Sequence, residues 1–133
     1  MLTLICGLPN AGKTTFSKRY DNVIHLDDVR PQGKAPTKVI HDMVADQSEV
    51  CVEGTYLVAR QRRELANAYK GERKVCIWLD VPIEECIARE NRGRKELMFR
   101  IGQQAFEPPT LSEGWDEIIR ITNYECCNSK GKT

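Results

Sequence analysis

A glycine-rich stretch near the start of the chain, GLPNAGKT, fits the pattern G-x-x-x-x-G-K-[ST] of a phosphate-binding P-loop. Its glycines allow a tight turn in which successive backbone N–H groups point at one anion. In such loops the lysine reaches the β and γ phosphates of a nucleotide, and the hydroxyl that follows binds Mg²⁺. We therefore expect a nucleotide to bind at Gly7, Pro9, Asn10, Ala11, Gly12, Lys13, Thr14 and Thr15.

The residues on either side supply the strand and the helix that a P-loop requires. Residues 2–6 form a continuous apolar run, which is typical of a buried parallel strand, and residues 13–20 have helical composition. A helix that starts at Lys13 adds partial positive charge to the same anion site. A chance glycine-lysine turn would lack both flanks, so these flanks favour the P-loop interpretation.

A pair of acidic residues follows the second apolar run, in the stretch IHLDDVR. Phosphoryl transfer needs a group that places the acceptor oxygen in line with the γ phosphorus and takes up its proton. A carboxylate on a neighbouring strand can do this, and Asp27 is our candidate. Arg30 falls on the same side if a helical turn begins here, and it would then bind a phosphate of the acceptor. The alternative is that Asp27 and Asp28 cap a short helix in solvent.

An acidic residue, Glu53, comes directly after the third apolar run. P-loop enzymes place here the group that orients water on Mg²⁺, so Thr14 and Glu53 are the candidate metal-site residues. A glutamate that caps the following helix is the alternative. Further along, the stretch ARQRRE carries Arg60, Arg62 and Arg63, which suit a polyanionic acceptor. A solvated helix surface with Arg–Glu pairs explains these arginines equally well.

Two more arginines, Arg89 and Arg92, lie three residues apart at the end of the helix predicted over residues 83–91, and this spacing predicts that they share one helical face. A mobile arginine that closes over a triphosphate compensates its charge and excludes water. With Gly93 as a hinge, we interpret residues 91–95 as a short lid. A helix C terminus that attracts basic residues and ends in a glycine cap fits the same pattern, and both descriptions can hold together.

Apolar runs and segments of helical composition alternate along the chain. This alternation predicts an α/β fold with a five-stranded parallel sheet and helices on both faces. The candidate residues follow the predicted strands, at the edge where such sheets bind ligands. Strands are predicted at residues 2–6, 23–26, 50–53, 75–79 and 117–121, and helices at 13–20, 36–47, 58–70, 83–91 and 95–104.

The composition is that of one globular domain, with 133 residues, 41% of them hydrophobic and 29% charged. We expect this domain over residues 1–121 and a polar tail over 122–133. A net charge of +1 gives no argument for a nucleic-acid partner. No run has the length of a membrane span and no targeting segment is evident, so we expect no membrane partner and a cytoplasmic location.

The six cysteines show no C-x-x-C spacing. Cys6, Cys51 and Cys76 lie inside apolar runs, where a free thiol packs as a small hydrophobic group. We therefore expect buried thiols rather than zinc ligands or disulfides. Cys126 and Cys127 fall in the polar tail, and no function is assigned to them.

Together these motifs resemble the kinase module of polynucleotide kinases, including the bifunctional kinase-phosphatases. The resemblance runs from about residue 2 to residue 121 and rests on GLPNAGKTT, LDDVR, VEGTYLVARQRR and DVPIEECIARENRG. Its most specific part is QQAFEPPTLSEGWDEI, residues 103–118, because the other motifs recur in many small P-loop kinases. Glu53 and Tyr56 stand where this family more usually has aspartate and asparagine.

The resemblance implies a P-loop kinase fold and the transfer of the γ-phosphate of ATP to the 5′-hydroxyl of DNA or RNA. The roles that it implies are triphosphate and Mg²⁺ binding by Lys13 and Thr14, acceptor activation by Asp27, 3′-phosphate binding by Arg30, and lid contacts by Arg92 with Arg89. A small-molecule kinase of the same fold, acting on a sugar, nucleoside or antibiotic hydroxyl, is the first alternative. A nucleotide-binding switch is the second, and the lack of a guanine-reading [NT]-K-x-D motif disfavours it.

Overall fold

The computed structural model describes residues 1–122. In this part of the chain, five parallel strands form one sheet in the order β2-β3-β1-β4-β5. The strands are β1 (Leu2–Cys6), β2 (Val23–His25), β3 (Val50–Glu53), β4 (Lys74–Leu79) and β5 (Glu117–Ile121). The helices are α1 (Lys13–Ser17), α2 (Pro36–Val44), α3 (Ala59–Ala68), α4 (Ile83–Ala88) and α5 (Glu96–Ala105), with 3₁₀ helices at Leu26–Asp28 and Leu111–Glu113.

The central strand β1 carries the two hydrophobic cores on its opposite faces. Leu2, Leu4 and Cys6 point to one face, where they pack with residues of α2 and α3. Ile5 points to the other face and packs with residues of α1, α4 and α5. Because both faces of a parallel sheet are covered, its central strands are mostly apolar. The predicted α/β architecture, with all five strands and helices on both faces, is confirmed.

Several predicted elements end earlier than the sequence suggested. Helix α1 stops at Ser17 rather than residue 20, and α2 stops at Val44 rather than residue 47. Helix α4 stops at Ala88, because the N–H of Glu90 bonds to the carbonyl of Ile87 in a tighter turn. The prediction that Arg89 and Arg92 share one helical face is therefore wrong. Within residues 1–122, none of the helices has the length and apolar character that crossing a bilayer requires.

The cysteines of the described part are buried free thiols, as predicted. Cys6, Cys51, Cys76 and Cys86 all lie in the cores. Burial raises the pKa of the Cys51 thiol to about 12, so this thiol stays protonated and unreactive at neutral pH. Cys126 and Cys127, like most of the predicted polar tail, lie outside the described residues.

A buried histidine on α2, His41, is expected to make the protein sensitive to acid. Burial lowers its pKa below the ordinary value of 6.5, although the carboxylates of Glu64 and Asp42 act in the opposite direction. The unfolded chain takes up this proton as the pH falls through about 6.5, whereas the folded chain resists it. We therefore expect the free energy of unfolding to decrease as the pH falls below this value, in denaturant titrations between neutral and mildly acidic pH. The variant His41→Gln removes the titrating group, so an unchanged pH dependence in this variant would contradict the assignment.

Candidate active site

A cleft of about 780 Å³ opens at the carboxyl edge of the sheet. On one side lies the P-loop (residues 7–14), on another the turn that carries Asp27, and opposite them residues 88–98. Most of the predicted site residues line this cleft, namely Pro9, Asn10, Gly12, Lys13, Thr14, Thr15, Asp27, Glu53, Arg89 and Arg92. The predicted residues Gly7, Ala11 and Arg30 are not among the lining residues.

The P-loop owes its shape to residues without bulky side chains. Gly7 approaches β4 so closely that a Cβ atom here would lie 2.7 Å from the carbonyl oxygen of Leu79. Gly12 has a φ of 100° and immediately precedes α1, in a region that favours glycine. Ala11 is fully buried beneath the loop. Gly7 and Ala11 therefore shape the loop from behind, while Pro9, Asn10 and residues 12–15 line the cleft.

Lys13 is 7% exposed, and its Nζ atom donates a hydrogen bond to the carbonyl oxygen of Leu8 at 2.8 Å. Burial lowers the pKa of Lys13, and the carboxylate of Glu53 opposes this shift. An ammonium held in a partly dehydrated site interacts strongly with a phosphate, because little bulk water screens the two charges. The placement of Lys13 thus suits the binding of a polyphosphate.

The candidate metal-site residues lie side by side at the ends of α1 and β3. The hydroxyl of Thr14 donates to Oε1 of Glu53 at 3.5 Å, and Nδ1 of His25 lies 2.7 Å from the same oxygen. Glu53 is only 6% exposed, so β3 and its neighbours fix the carboxylate. Within residues 1–122, no group of three or more His, Cys, Asp or Glu side chains is arranged to hold a metal ion. A hydroxyl and a carboxylate are oxygen ligands that suit Mg²⁺, which usually takes its remaining ligands from water and nucleotide phosphates.

Glu53→Gln is expected to raise the Mg²⁺ concentration needed for half-maximal activity by about 10- to 100-fold, the usual range for groups that support a bound metal. The amide keeps the shape of the side chain but loses the negative charge. The measurement is a magnesium titration of ATP turnover. Glu49→Gln, at an exposed position just before the same strand, is the matched control, and equal magnesium requirements in both variants would contradict the role of Glu53.

Asp27 lies on the 3₁₀ helix Leu26–Asp28, hereafter the Asp27 turn, and its side chain is exposed to the cleft. The turn packs against the end of β3 so tightly that a Cβ atom on Gly54 would lie 2.7 Å from the Cβ atom of Leu26. After Asp28 the chain becomes extended at Val29. The helical turn predicted here therefore ends before Arg30, which is not among the residues that line the cleft. The role of Arg30 stays a prediction.

A second group of polar residues links the P-loop to residues 89–94, hereafter the arginine segment. The side chain of Asn10 donates to Oε1 of Glu90 at 2.9 Å, and its backbone carbonyl accepts a hydrogen bond from Arg89 at 3.0 Å. Arg94 donates to both Asn10 and Glu90, at 2.8 and 3.0 Å. Hydrogen bonds from Arg94, above all others, lower the pKa of Glu90 to about 2, so the carboxylate remains charged. The arginine segment is thus tied to the P-loop.

Three contributors to the site were not predicted, namely Arg94 and Glu90 on this side of the cleft and Thr55 beside Glu53 and Gly54. Arg94 lines the cleft together with Arg92. It falls within the lid predicted over residues 91–95, but no role was predicted for it. Glu90 was not predicted to fix this segment. The only indication in the sequence was its negative charge next to the arginines. Thr55 also lines the cleft, directly after Glu53 and Gly54. Its position just after a buried strand could have indicated this.

The three arginines of α3 do not form one basic surface, and one of them makes the Arg–Glu pair of the alternative interpretation. Arg62 is fully buried, and Arg60 pairs with Glu64 at 3.3 Å. Of the three arginines, Arg62 therefore belongs to the interior, which leaves Arg60 and Arg63 exposed on the helix.

Comparisons with known proteins define the fold. No protein-family model and no curated protein matches the sequence. Among solved structures, a gluconokinase from Sinorhizobium meliloti 1021 is similar over 92% of this chain and 82% of its own, with a TM-score of 0.66 and 15% identity. A sugar kinase from Janibacter sp. HTCC2649 is similar over 91% of this chain and 84% of its own, with a TM-score of 0.71 and 13% identity. The chain therefore has the P-loop kinase fold.

Proposed function

We propose that this protein is a kinase that transfers the γ-phosphate of ATP to the hydroxyl group of an acceptor. The observation that carries the proposal is the shared cleft, in which Lys13 and Thr14 lie on one wall and Asp27 on another. A pure nucleotide-binding switch has no use for an exposed carboxylate on the acceptor wall. A kinase needs such a group to orient the hydroxyl and accept its proton.

Each wall then has a separate task in the transfer. Lys13 and the P-loop amides bind the phosphates, and Arg89, Arg92 and Arg94 line the opposite wall, where they offset the negative charge. Thr14 and Glu53 would hold Mg²⁺, which supplies charge neutralisation between the β and γ phosphates when it is bound. Asp27 accepts the proton of the acceptor hydroxyl as this oxygen attacks the γ phosphorus, and ADP leaves as the bond from that phosphorus to the bridging oxygen breaks.

We favour a small sugar-like hydroxyl compound as the acceptor. All basic residues that line the cleft belong to the P-loop or the arginine segment, among the residues that the structure describes. The acceptor wall presents Asp27 and Thr55 instead. A polyanionic acceptor needs basic partners on that wall, and the two structures reported above carry the titles gluconokinase and sugar kinase.

A polynucleotide 5′-hydroxyl is the second candidate acceptor. It is supported by the similarity of residues 103–118 to the polynucleotide kinase module. Arg30 separates the two candidates, since it is exposed and lies outside the cleft. Arg30→Ala is expected to leave the phosphorylation of a small acceptor unchanged, whereas a polynucleotide kinase that uses Arg30 would lose affinity for the oligonucleotide. Kinetic constants for both acceptors in this variant make the comparison.

The test is a transfer assay with γ-labelled ATP and a defined set of acceptors. The set contains D-gluconate, a neutral hexose, and 5′-hydroxyl DNA and RNA oligonucleotides with and without a 3′-phosphate. We expect label on a small acceptor and little on the oligonucleotides. Preferential labelling of an oligonucleotide would reverse the order of the two candidates, and release of inorganic phosphate alone would contradict kinase activity.

A further inference from the structure

The buried side chain of Arg62 on α3 donates hydrogen bonds to two other segments of the chain, and this set of hydrogen bonds is hereafter the clasp. Its Nε and Nη2 atoms donate to the two carboxylate oxygens of Glu113 at 2.8 and 3.0 Å. Nη1 donates to the carbonyl oxygen of Tyr56 at 2.7 Å, and Nη2 also donates to the carbonyl of Glu107. Both Arg62 and Glu113 have side chains that are 0% exposed. One guanidinium thus joins α3, residues 54–58 and residues 107–113.

The segment 107–113 also holds the start of α3 from outside. The N–H of Glu107 donates to the carbonyl of Leu57 at 2.8 Å, and its carboxylate accepts the N–H of Ala59 at 2.6 Å. Glu113 in turn accepts hydrogen bonds from the backbone of Thr110 and the indole of the buried Trp115, both at 3.1 Å. The carboxylate that orients Arg62 is therefore itself held in place.

Residues 54–58, hereafter the acceptor loop, connect this clasp to the cleft. Tyr56 has a φ of 39°, a left-handed conformation that non-glycine residues rarely adopt and that the surroundings must hold. Its carbonyl is the one that Arg62 binds. On its other side the loop contributes Gly54 and Thr55 to the cleft wall, and Gly54 packs against Leu26 of the Asp27 turn.

We propose that Arg62 is a positioning residue for the acceptor, acting through the acceptor loop on Thr55 and on the Asp27 turn. This inference rests on the proposed kinase function and adds to it a residue that lies outside the cleft. An unsupported Tyr56 carbonyl would release the loop from its left-handed conformation. Thr55 would then lose its place on the wall, and Leu26 would lose the close contact that fixes the Asp27 turn.

Arginine is the residue that this arrangement requires. Its planar guanidinium reaches the carboxylate with two parallel N–H groups while further N–H groups bind the two carbonyls. A lysine keeps the positive charge but offers a single nitrogen, which cannot span all these acceptors. Arg62→Lys therefore tests geometry with the charge retained.

The experiment compares Arg62→Lys and Glu113→Gln with Arg63→Lys, the same conservative change at the exposed neighbour on α3. Because either buried change lowers stability, thermal unfolding is measured first and all assays are run well below the lowest transition. Glu113→Gln keeps the shape of the side chain but removes its charge, so it changes the other partner of the pair and provides a second, independent variant.

The kinetic arm uses D-gluconate or the hexose, whichever the wild type phosphorylates. In Arg62→Lys and Glu113→Gln we expect kcat/KM for the acceptor to fall by about 10- to 100-fold, because the acceptor wall is displaced, while KM for ATP changes less than about twofold. ATP hydrolysis without transfer should rise relative to transfer. If the ion pair only stabilises the fold, the two substitutions will lower the melting temperature but leave kcat/KM for the acceptor unchanged relative to KM for ATP. That result would overturn the proposal.

The second arm needs no acceptor, so it separates this inference from the proposed function. Hydrogen exchange of the ligand-free protein should become faster in residues 54–58 and 26–29 of the two buried variants, with residues 7–14 unchanged. Faster exchange confined to residues 59–62 and 107–113 would overturn the positioning role. If the wild type phosphorylates nothing, the proposed function fails, and the exchange pattern alone decides whether Arg62 fixes the Asp27 turn.

Discussion

Lys13→Ala is expected to lower the rate of phosphotransfer by about 10²–10³-fold, the range for removal of one preorganised electrostatic group. Lys13 is held between the P-loop and Glu53 in a site with little water, so its charge acts on the phosphates with little screening. No other basic side chain of the P-loop is available to replace it. The measurement is the initial rate of transfer from ATP at saturating acceptor.

The stability of Lys13→Ala distinguishes this loss from unfolding. Burial lowers the pKa of Lys13, which means that the fold disfavours its charge. The variant should therefore melt at or above the wild-type temperature. Lys18→Ala, an exposed lysine just after α1, is the matched control and should keep full activity. Full activity in Lys13→Ala would remove the basis of the P-loop assignment.

Asp27→Asn is expected to lower the rate of transfer to the acceptor by about 10²–10⁴-fold, the usual contribution of a general base. The amide keeps the size of the side chain and its place on the Asp27 turn, but it cannot take up the proton. Because Asp27 lies on the acceptor wall, ATP affinity should remain near the wild-type value. The two quantities are measured by labelled transfer and by nucleotide binding at equilibrium.

Asp28→Asn is the control for this prediction. Asp28 is exposed on the same 3₁₀ helix but is not among the residues that line the cleft. The two variants change charge equally, so a general electrostatic effect would lower both activities alike. Equal loss in both variants would contradict the specific role of Asp27 and would favour the view that the pair only caps the turn.

The fold follows from the sequence because its signals are local. Each strand of a doubly covered sheet is a short apolar run, and the P-loop needs glycines at fixed positions. Element ends were less accurate because particular side-chain hydrogen bonds, which the hydrophobic pattern does not record, also act there. Helix α4 stops at Ala88, and beyond it the carboxylate of Glu90 accepts the N–H groups of Arg92 and Arg94, both at 2.9 Å.

Two arginines were placed less accurately than the carboxylates of the site. Arg30 was expected on the same side as Asp27, but the 3₁₀ helix ends at Asp28 and the chain is extended at Val29. Arg62 was counted as a surface charge because arginine is usually exposed. Its spacing from Leu65, Ala66 and Tyr69 places it on the buried face of α3, which was the available signal. Its partner Glu113 is 51 residues away, beyond the reach of periodicity.

We propose that one cleft couples ATP binding at the P-loop to a hydroxyl held at Asp27. Phosphorus NMR can follow both substrates in a single reaction mixture that contains ATP, Mg²⁺, the protein and D-gluconate or a hexose. We expect a new phosphomonoester signal that grows at the same rate as ADP and that is lost in Asp27→Asn. Growth of inorganic phosphate alone, at the same rate with and without the acceptor, would contradict it.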